Sequence, residues 1–207
     1  MPARKVLAQF YMTIDGVASL VDRPDAPDDD SSDFWQAMWT GQWDSIDTLL
    51  LGRRSYELWS EFWPGVEKDP KASQNFRDFS AFANRAEKVV FSRTLATPKW
   101  EKSRIVRGDI SQEIERLLST PGGNMALGGG PRLLQAFLRL GLVDELRLCI
   151  QPSTVGRGKP LFAVESVPDD PTDIIPLGAP LRHDFRLVTA RPLKSGNVFV
   201  HYVKEGN

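Results

Sequence analysis

The chain has 207 residues, a formal net charge of −1, 41% hydrophobic residues and 26% charged residues. These proportions are average for a globular protein, and they exclude a disordered chain, a fibrous repeat and an acidic tail protein. The near-neutral charge excludes general nucleic-acid binding, because that function normally needs a basic surface. The length predicts a single domain over residues 1–207.

The single cysteine, Cys149, excludes an intrachain disulfide and a cysteine-rich zinc site, and it is expected to pack inside a strand. His183 and His201 have no clustered carboxylate beside them, so no metal site is predicted. No apolar run approaches the roughly 20 residues of a membrane span, and the first residues lack the apolar centre of a secretory signal. We therefore expect a cytoplasmic protein that binds neither membranes nor nucleic acid.

Apolar runs and turn signals alternate along the first two thirds of the chain. In chain order they predict strands over 6–12, 46–51, 89–91, 104–107, 124–127 and 144–150, then a final pair over 185–190 and 198–203. Helical patterns lie over 53–62, 76–83, 110–118 and 131–140, the first of them stopped by Pro64. This alternation predicts an α/β fold, a mostly parallel sheet with helices on both faces, followed by a C-terminal antiparallel hairpin.

Two further segments stand outside this alternation. Residues 22–33 are acidic and predict a solvated loop, and residues 166–180 are rich in proline and predict a surface connection. Between the acidic loop and the next strand, Trp35, Trp39 and Trp43 recur every four residues and would share one helix face. We interpret that face as core or subunit contact, or as a wall for a planar ligand.

Three predicted strands end in segments rich in glycine or arginine. They are Gly52-Arg53-Arg54-Ser55, Ser92-Arg93-Thr94 and Gly128-Gly129-Gly130-Pro131-Arg132. The carboxyl ends of parallel strands meet at one sheet edge, where helix N-termini offer N–H groups to anions and arginine adds a planar fork for phosphate. Each segment alone is more often a tight turn or an exposed charge, but together they predict a ligand with several phosphates, such as a dinucleotide.

The common nucleotide-binding fingerprints are absent. Leu133 stands where a Rossmann fingerprint beginning at Gly128 would need its third glycine. Gly158-Lys159 is followed by Pro160 and not by the serine or threonine of a P-loop. A dinucleotide would therefore bind in another fold.

Several blocks of the sequence match one known family, in the family's order. The blocks are Met12–Gly16, Leu50–Glu57, Val90–Arg93, Leu127–Leu134 and Gly141–Leu146, followed by Pro152, Gly156, Gly158, Pro160, Leu161 and Phe162. In these blocks the sequence resembles the dihydrofolate-reductase-like superfamily, and most closely the reductase domain of the bifunctional riboflavin-biosynthesis deaminase/reductase. The zinc-binding deaminase half of that enzyme has no counterpart here, so we expect a stand-alone reductase domain.

The resemblance implies an NADPH-dependent reductase on a mixed central sheet, usually a homodimer, whose seam would be either the strand around Leu146 or the tryptophan face. It also implies that Ser92 and Arg93 hold the adenosine 2′-phosphate, and that Asp15 lies by the nicotinamide and the substrate. The residues expected at the other cofactor phosphates are Gly52, Arg53, Arg54, Ser55, Gly128, Gly129, Gly130 and, at the same helix start, Arg132.

Charged hydrogen bonds decide the expected coenzyme. Each contributes roughly 1.5–3 kcal/mol, so Arg93 with Arg53 or Arg54 would favour NADPH over NADH by roughly two to four decades.

The leading hypothesis is hydride transfer from NADPH to a pteridine- or pyrimidine-like heterocycle. One alternative is a non-catalytic module of the same fold that binds a nucleotide or flavin, and another is a reductase for an unrelated small carbonyl or imine. Asp33, at a predicted helix start, is the first candidate for a catalytic proton donor and Asp15 the second. A carboxylate at a helix start is more often a structural cap.

Overall fold

The computed structural model describes residues 3–18, 42–162 and 182–205. The predicted acidic loop, the candidate acid Asp33, the first two tryptophans of the predicted face and the proline-rich connection lie outside the described residues.

The described residues contain one eight-stranded mixed sheet. Its strands are β1 Val6–Thr13, β2 Ile46–Gly52, β3 Glu87–Phe91, β4 Ser103–Val106, β5 Asn124–Leu127, β6 Glu145–Gln151, β7 Phe185–Pro192 and β8 Val198–Lys204. The spatial order is β4-β3-β2-β5-β1-β6-β8-β7. Strands β1 to β6 pair in parallel, whereas β8 pairs antiparallel with both β6 and β7. The predicted parallel sheet with a C-terminal antiparallel hairpin is confirmed.

Four described helices cover the two faces of the sheet. They are α1 Arg53–Val66, α2 Gln74–Arg85, α3 Ile110–Leu118 and α4 Pro131–Arg139. Alternating side chains of β2 point to opposite faces, as the period of a strand requires. Leu49 and Leu51 pack in the cluster that holds residues of α1 and α2, and Leu50 packs in the cluster that holds residues of α3 and α4. Because both faces of β2 are covered at Leu49–Leu51, these three residues form a continuous apolar run.

The prediction that Pro64 ends the first helix is wrong, since α1 continues through it to Val66. Proline removes one backbone donor, the one that would bond the Ser60 carbonyl four residues earlier, and this loss does not end the helix. Two carbonyls of the last turn of α1 find donors on α2: the Ser80 hydroxyl donates to the Trp63 carbonyl at 2.6 Å, and the Asn84 amide donates to the Pro64 carbonyl at 3.5 Å. Tertiary contacts therefore support the turn of α1 that lies beyond the predicted end.

Two single-residue expectations can be compared with the core. Cys149 is fully buried in β6, between Tyr11 of β1 and Phe199 of β8 in the sheet register, so its predicted packing role is confirmed. Trp43 packs its ring against Phe79 and Phe82 of α2, at centroid distances of 5.7 and 5.0 Å. Of the predicted tryptophan face, this described member belongs to the core.

Candidate functional site

The three glycine- and arginine-rich segments meet at the carboxyl edge of the sheet. They follow β3, β2 and β5, which are consecutive neighbours in the strand order. The turns after β2 and β5 approach each other closely: a Cβ placed on Gly129 would lie 3.3 Å from the Gly52 nitrogen, and one placed on Gly130 would lie 3.8 Å from the Ser55 hydroxyl. The fold therefore brings together residues that are about 75 positions apart in the chain.

Two of the helices that start at this edge lack side-chain caps. Helix α1 begins after Gly52 and helix α4 after Gly130, and neither glycine can offer a side-chain oxygen. In contrast, Ser73 caps α2 and Asp109 caps α3 by accepting hydrogen bonds from backbone amides. The positive ends of the two helix dipoles, together with the uncapped amides of α1, favour an anion at this place.

Close packing accounts for two of the glycines in the triplet. A Cβ on Gly128 would lie 2.8 Å from the Trp59 ring, and a Cβ on Gly129 would lie 2.7 Å from the Leu133 side chain. Around Gly52, by contrast, no atom lies within 4 Å of such a Cβ. Gly52 and Gly130 therefore leave space next to the helix starts, whereas Gly128 and Gly129 are also required by their neighbours.

The two arginines that open α1 have different surroundings. Arg53 donates to Glu57 at 3.1 Å and to the Thr94 hydroxyl at 2.6 Å, so it joins α1 to the loop after β3. Arg54 is exposed and pairs with no acidic group among residues 3–18, 42–162 and 182–205. The positive charge of Arg54 adds to desolvation in lowering the pKa of Lys159.

In the loop after β3, Ser92 and Arg93 are both predicted to hold the 2′-phosphate, but their surroundings differ. Ser92 is 3% exposed, and its hydroxyl accepts from the amides of Thr94 at 3.2 Å and Leu95 at 2.9 Å. Arg107 fixes the same turn by donating to the Leu95 carbonyl. Arg93 is exposed and has no acidic partner in the part of the chain that the structure describes. Ser92 thus shapes the turn, while the Arg93 guanidinium is available to an anion.

Asp15 closes the turn that follows β1. One carboxylate oxygen accepts from the Thr13 hydroxyl at 2.5 Å, and the other accepts from the amides of Val155 at 3.1 Å and Gly156 at 2.7 Å. The Thr13 hydroxyl, followed by the Gly156 amide, holds the pKa of Asp15 below its usual value. The carboxylate therefore stays ionised, which suits a group that positions a loop better than one that donates a proton. Its predicted catalytic role stays a prediction.

Lys159 is a member of this edge that the sequence reasoning missed. Its loop is joined to the β1 turn, because the Ala18 amide donates to the Lys159 carbonyl and the Leu161 amide donates to the Gly16 carbonyl, at 2.9 and 2.8 Å. Desolvation, then the charges of Arg54 and Arg132, lower the pKa of Lys159. Lys159 was set aside because Gly158-Lys159-Pro160 does not fit a P-loop. Its position in the loop after a parallel strand is nevertheless a signal for this edge.

A cavity of about 820 Å³ lies at the opposite, amino edge of the sheet. Its charged side chains are largely paired with one another, as in the contacts of Arg4 with Asp47 and of Arg104 with Glu87. Among the described residues, no group of three or more His, Cys, Asp and Glu side chains could hold a metal ion. No helix in the described ranges is long and apolar enough to cross a membrane.

Comparison with known proteins agrees with this geometry. The RibD C-terminal domain family profile matches residues 4–196. The uncharacterized protein YyaP of Bacillus subtilis is 33% identical over 157 residues, covering 76% of this chain and 73% of YyaP.

Solved structures share the fold at low sequence identity. A putative riboflavin biosynthesis protein from Shewanella sp. PV-4 superimposes with a TM-score of 0.65 at 16% identity, over 98% of this chain and 99% of the other. Dihydrofolate reductase from Enterococcus faecalis, in complex with NADP(H) and RAB-propyl, gives a TM-score of 0.54 at 13% identity, over 98% and 97% of the two chains. The fold is dihydrofolate-reductase-like, and the chain belongs to the RibD C-terminal domain family.

Proposed function

We propose that this protein is an NADPH-dependent reductase that transfers a hydride to a pteridine- or pyrimidine-like heterocycle. The observation that carries the proposal is the close approach of two uncapped helix starts, each followed at once by an arginine: Arg54 in α1 and Arg132 in α4. Arginine side chains beside uncapped helix starts, with open space at Gly52, are groups that suit a diphosphate. The complex of the Enterococcus relative with NADP(H) supports the choice of dinucleotide.

The chain's own residues divide the coenzyme's anionic groups between two places. The starts of α1 and α4, with Arg54 and Arg132, would hold the diphosphate. Arg93, in a turn fixed by Ser92 and Arg107, would hold the 2′-phosphate. Arg53 would support that second place through its hydrogen bond to Thr94.

The bound coenzyme would supply the hydride, so the protein's contribution is to position, to exclude water and to polarise. The turn at Asp15 and Gly16 follows β1, which neighbours β5 and its glycine triplet. In this proposal the turn forms the side of the site that faces the heterocycle. Asp33 remains the proposed proton donor, and Asp15 positions the turn.

The direct test is oxidation of NADPH, followed by the loss of absorbance of its reduced nicotinamide. Dihydrofolate and the ribosylaminouracil intermediate of riboflavin synthesis are the two substrates to try first. We expect turnover with one of these heterocycles and tight NADPH binding without substrate. Binding without turnover on any heterocycle would favour the alternative of a non-catalytic nucleotide-binding module, and no binding at all would reject both.

We also propose that the protein acts as a homodimer. Light scattering on a sizing column should then give a mass well above the 23.2 kDa of one chain. A single species at the monomer mass across a wide concentration range would contradict this.

A further inference from the structure

The loop over residues 156–161 brings a lysine to the first turns of α4. Gln135 is 7% exposed, and its side-chain amide donates to the carbonyls of Pro160 and Leu161, both at 3.2 Å. Gln135 lies three residues after Arg132, so the two side chains share a face of α4. These contacts place Lys159, the residue before Pro160, on the side of α4 that carries Arg132.

The start of α1 reaches the same place from another direction. The close approach of Gly129 to Gly52 and of Gly130 to Ser55 sets the first turns of α1 and α4 against each other. Arg54 is the residue before Ser55, so its charge stands at this junction. Three cations from three separate segments therefore meet, and none of the carboxylates in the described ranges pairs with Arg54 or Lys159.

We propose that Lys159 is a third cationic ligand of the coenzyme's diphosphate and binds it together with Arg54 and Arg132. This inference rests on the proposed function and adds a residue and a loop to its binding site. In the free protein the three positive charges repel one another, and this repulsion adds to desolvation in lowering the pKa of Lys159. The two negative charges of a diphosphate would turn that repulsion into attraction.

The loop is well placed for this role because it is held before any ligand arrives. Asp15 accepts from the Gly156 amide, the Ala18 amide donates to the Lys159 carbonyl, and Gln135 holds the loop's far end. Binding would therefore lose little backbone conformational entropy, because only the lysine side chain would have to become ordered.

The experiment compares Lys159→Gln with Arg157→Gln, an exposed cation of the same loop, as the matched control. Dissociation constants are measured by calorimetry for NADPH, for inorganic pyrophosphate and for adenosine 2′-phosphate. We expect Lys159→Gln to weaken NADPH and pyrophosphate binding by roughly 10- to 100-fold. Binding of adenosine 2′-phosphate should be unchanged, Lys159→Arg should restore most of the affinity, and Arg157→Gln should change each constant less than about threefold.

Equal NADPH affinity in Lys159→Gln and Arg157→Gln would overturn the inference. An equal loss for pyrophosphate and adenosine 2′-phosphate would also overturn it, because the effect would then be general electrostatics. The failure of the proposed function would look different. In that case wild-type protein would not bind NADPH, while the loss of pyrophosphate binding in Lys159→Gln would still support Lys159 as an anion ligand.

Discussion

The positively charged side chains at the two edges of the sheet differ in whether they have acidic partners. At the amino edge, Arg4 is 9% exposed and donates to Asp47 at 2.7 Å, to Thr48 at 2.9 Å and to backbone carbonyls. Arg104 there pairs with both Glu87 and Glu113. At the carboxyl edge, Arg54, Arg93 and Lys159 have no acidic partner among the described residues.

This difference separates charges that stabilise the fold from charges that are available to a ligand. A buried and fully hydrogen-bonded arginine holds elements together, and its loss leaves its partners unsatisfied. Clustered cations without counter-ions lower stability slightly, so such a cluster favours the interpretation of an anion site. The amino edge contains a cavity of about 820 Å³, yet its paired charges make it the weaker candidate for an anion site.

The largest effect is expected for coenzyme selection at the carboxyl edge. Arg93→Ala should lower the preference for NADPH over NADH by roughly 10- to 100-fold, because the 2′-phosphate loses a charged hydrogen bond. Arg54→Ala should instead weaken both coenzymes about equally, since both carry the diphosphate. Titration of each variant with both coenzymes checks this, and an unchanged preference in Arg93→Ala would refute the assignment. Neither variant should lower thermal stability.

At the amino edge, Arg4→Met should lower stability and leave coenzyme binding unchanged, which is the reverse of the effects expected at the carboxyl edge. It should lower the free energy of unfolding by about 2–4 kcal/mol, because Asp47, Thr48 and the Leu117 carbonyl each lose the hydrogen bond that Arg4 donates. Lys5→Met is the control: Lys5 is exposed and pairs with Glu145 at 3.0 Å, so less than about 1 kcal/mol is expected. Urea denaturation measures both variants. Weakened NADPH binding in folded Arg4→Met would contradict the view that the amino edge has only a structural role.

Lys88 sharpens the comparison because it is a buried cation that has carbonyls as partners. Its ammonium donates to the carbonyls of Ala83 at 2.9 Å and Asn84 at 3.2 Å, and it lies 4.4 Å from the Trp100 ring centroid. Burial, with the nearby charge of Lys102, lowers its pKa from 10.5 to about 8. Above about pH 8 the folded chain therefore loses this proton before the unfolded chain does.

Stability should consequently rise with pH in that window, since the unfolded state binds more protons than the folded state. We expect the free energy of unfolding of the wild type, relative to Lys88→Met, to increase by on the order of 2 kcal/mol from pH 8 toward 10.5. Urea denaturation of both proteins across this range measures the difference. A difference that stays constant would show that Lys88 keeps its ordinary pKa.

The smallest effect is expected for Asp15→Asn. The variant keeps the shape of the side chain but weakens its acceptance from Val155 and Gly156, so hydrogen exchange of those two amides should quicken about two- to fivefold. If Asp15 only positions the turn, turnover should fall modestly and the pH–rate profile should keep its shape. Loss of one limb of the profile would make Asp15 the proton donor instead.

Most of the architecture could be predicted from the sequence, because it depends on local signals. Apolar runs of strand length, helical periodicity and the Gly-Arg and triple-glycine segments at strand ends are all visible along the chain. They predict a mostly parallel sheet, its terminal hairpin and an anion site at its carboxyl edge. The extension of α1 through Pro64 was missed, and its last turn is supported by donors from α2 that no local pattern shows.

Only the tertiary structure decided which residues of the candidate site act together. The order β3-β2-β5 brings three loops into contact, and that order depends on long-range packing that no local pattern encodes. The same packing joins Arg53 to Thr94, turns the Ser92 hydroxyl into its own loop and brings Lys159 beside Arg54. Residue type and position along the chain were enough to predict an anion site. Where each charged side chain points, in contrast, depends on neighbours that are far apart in sequence.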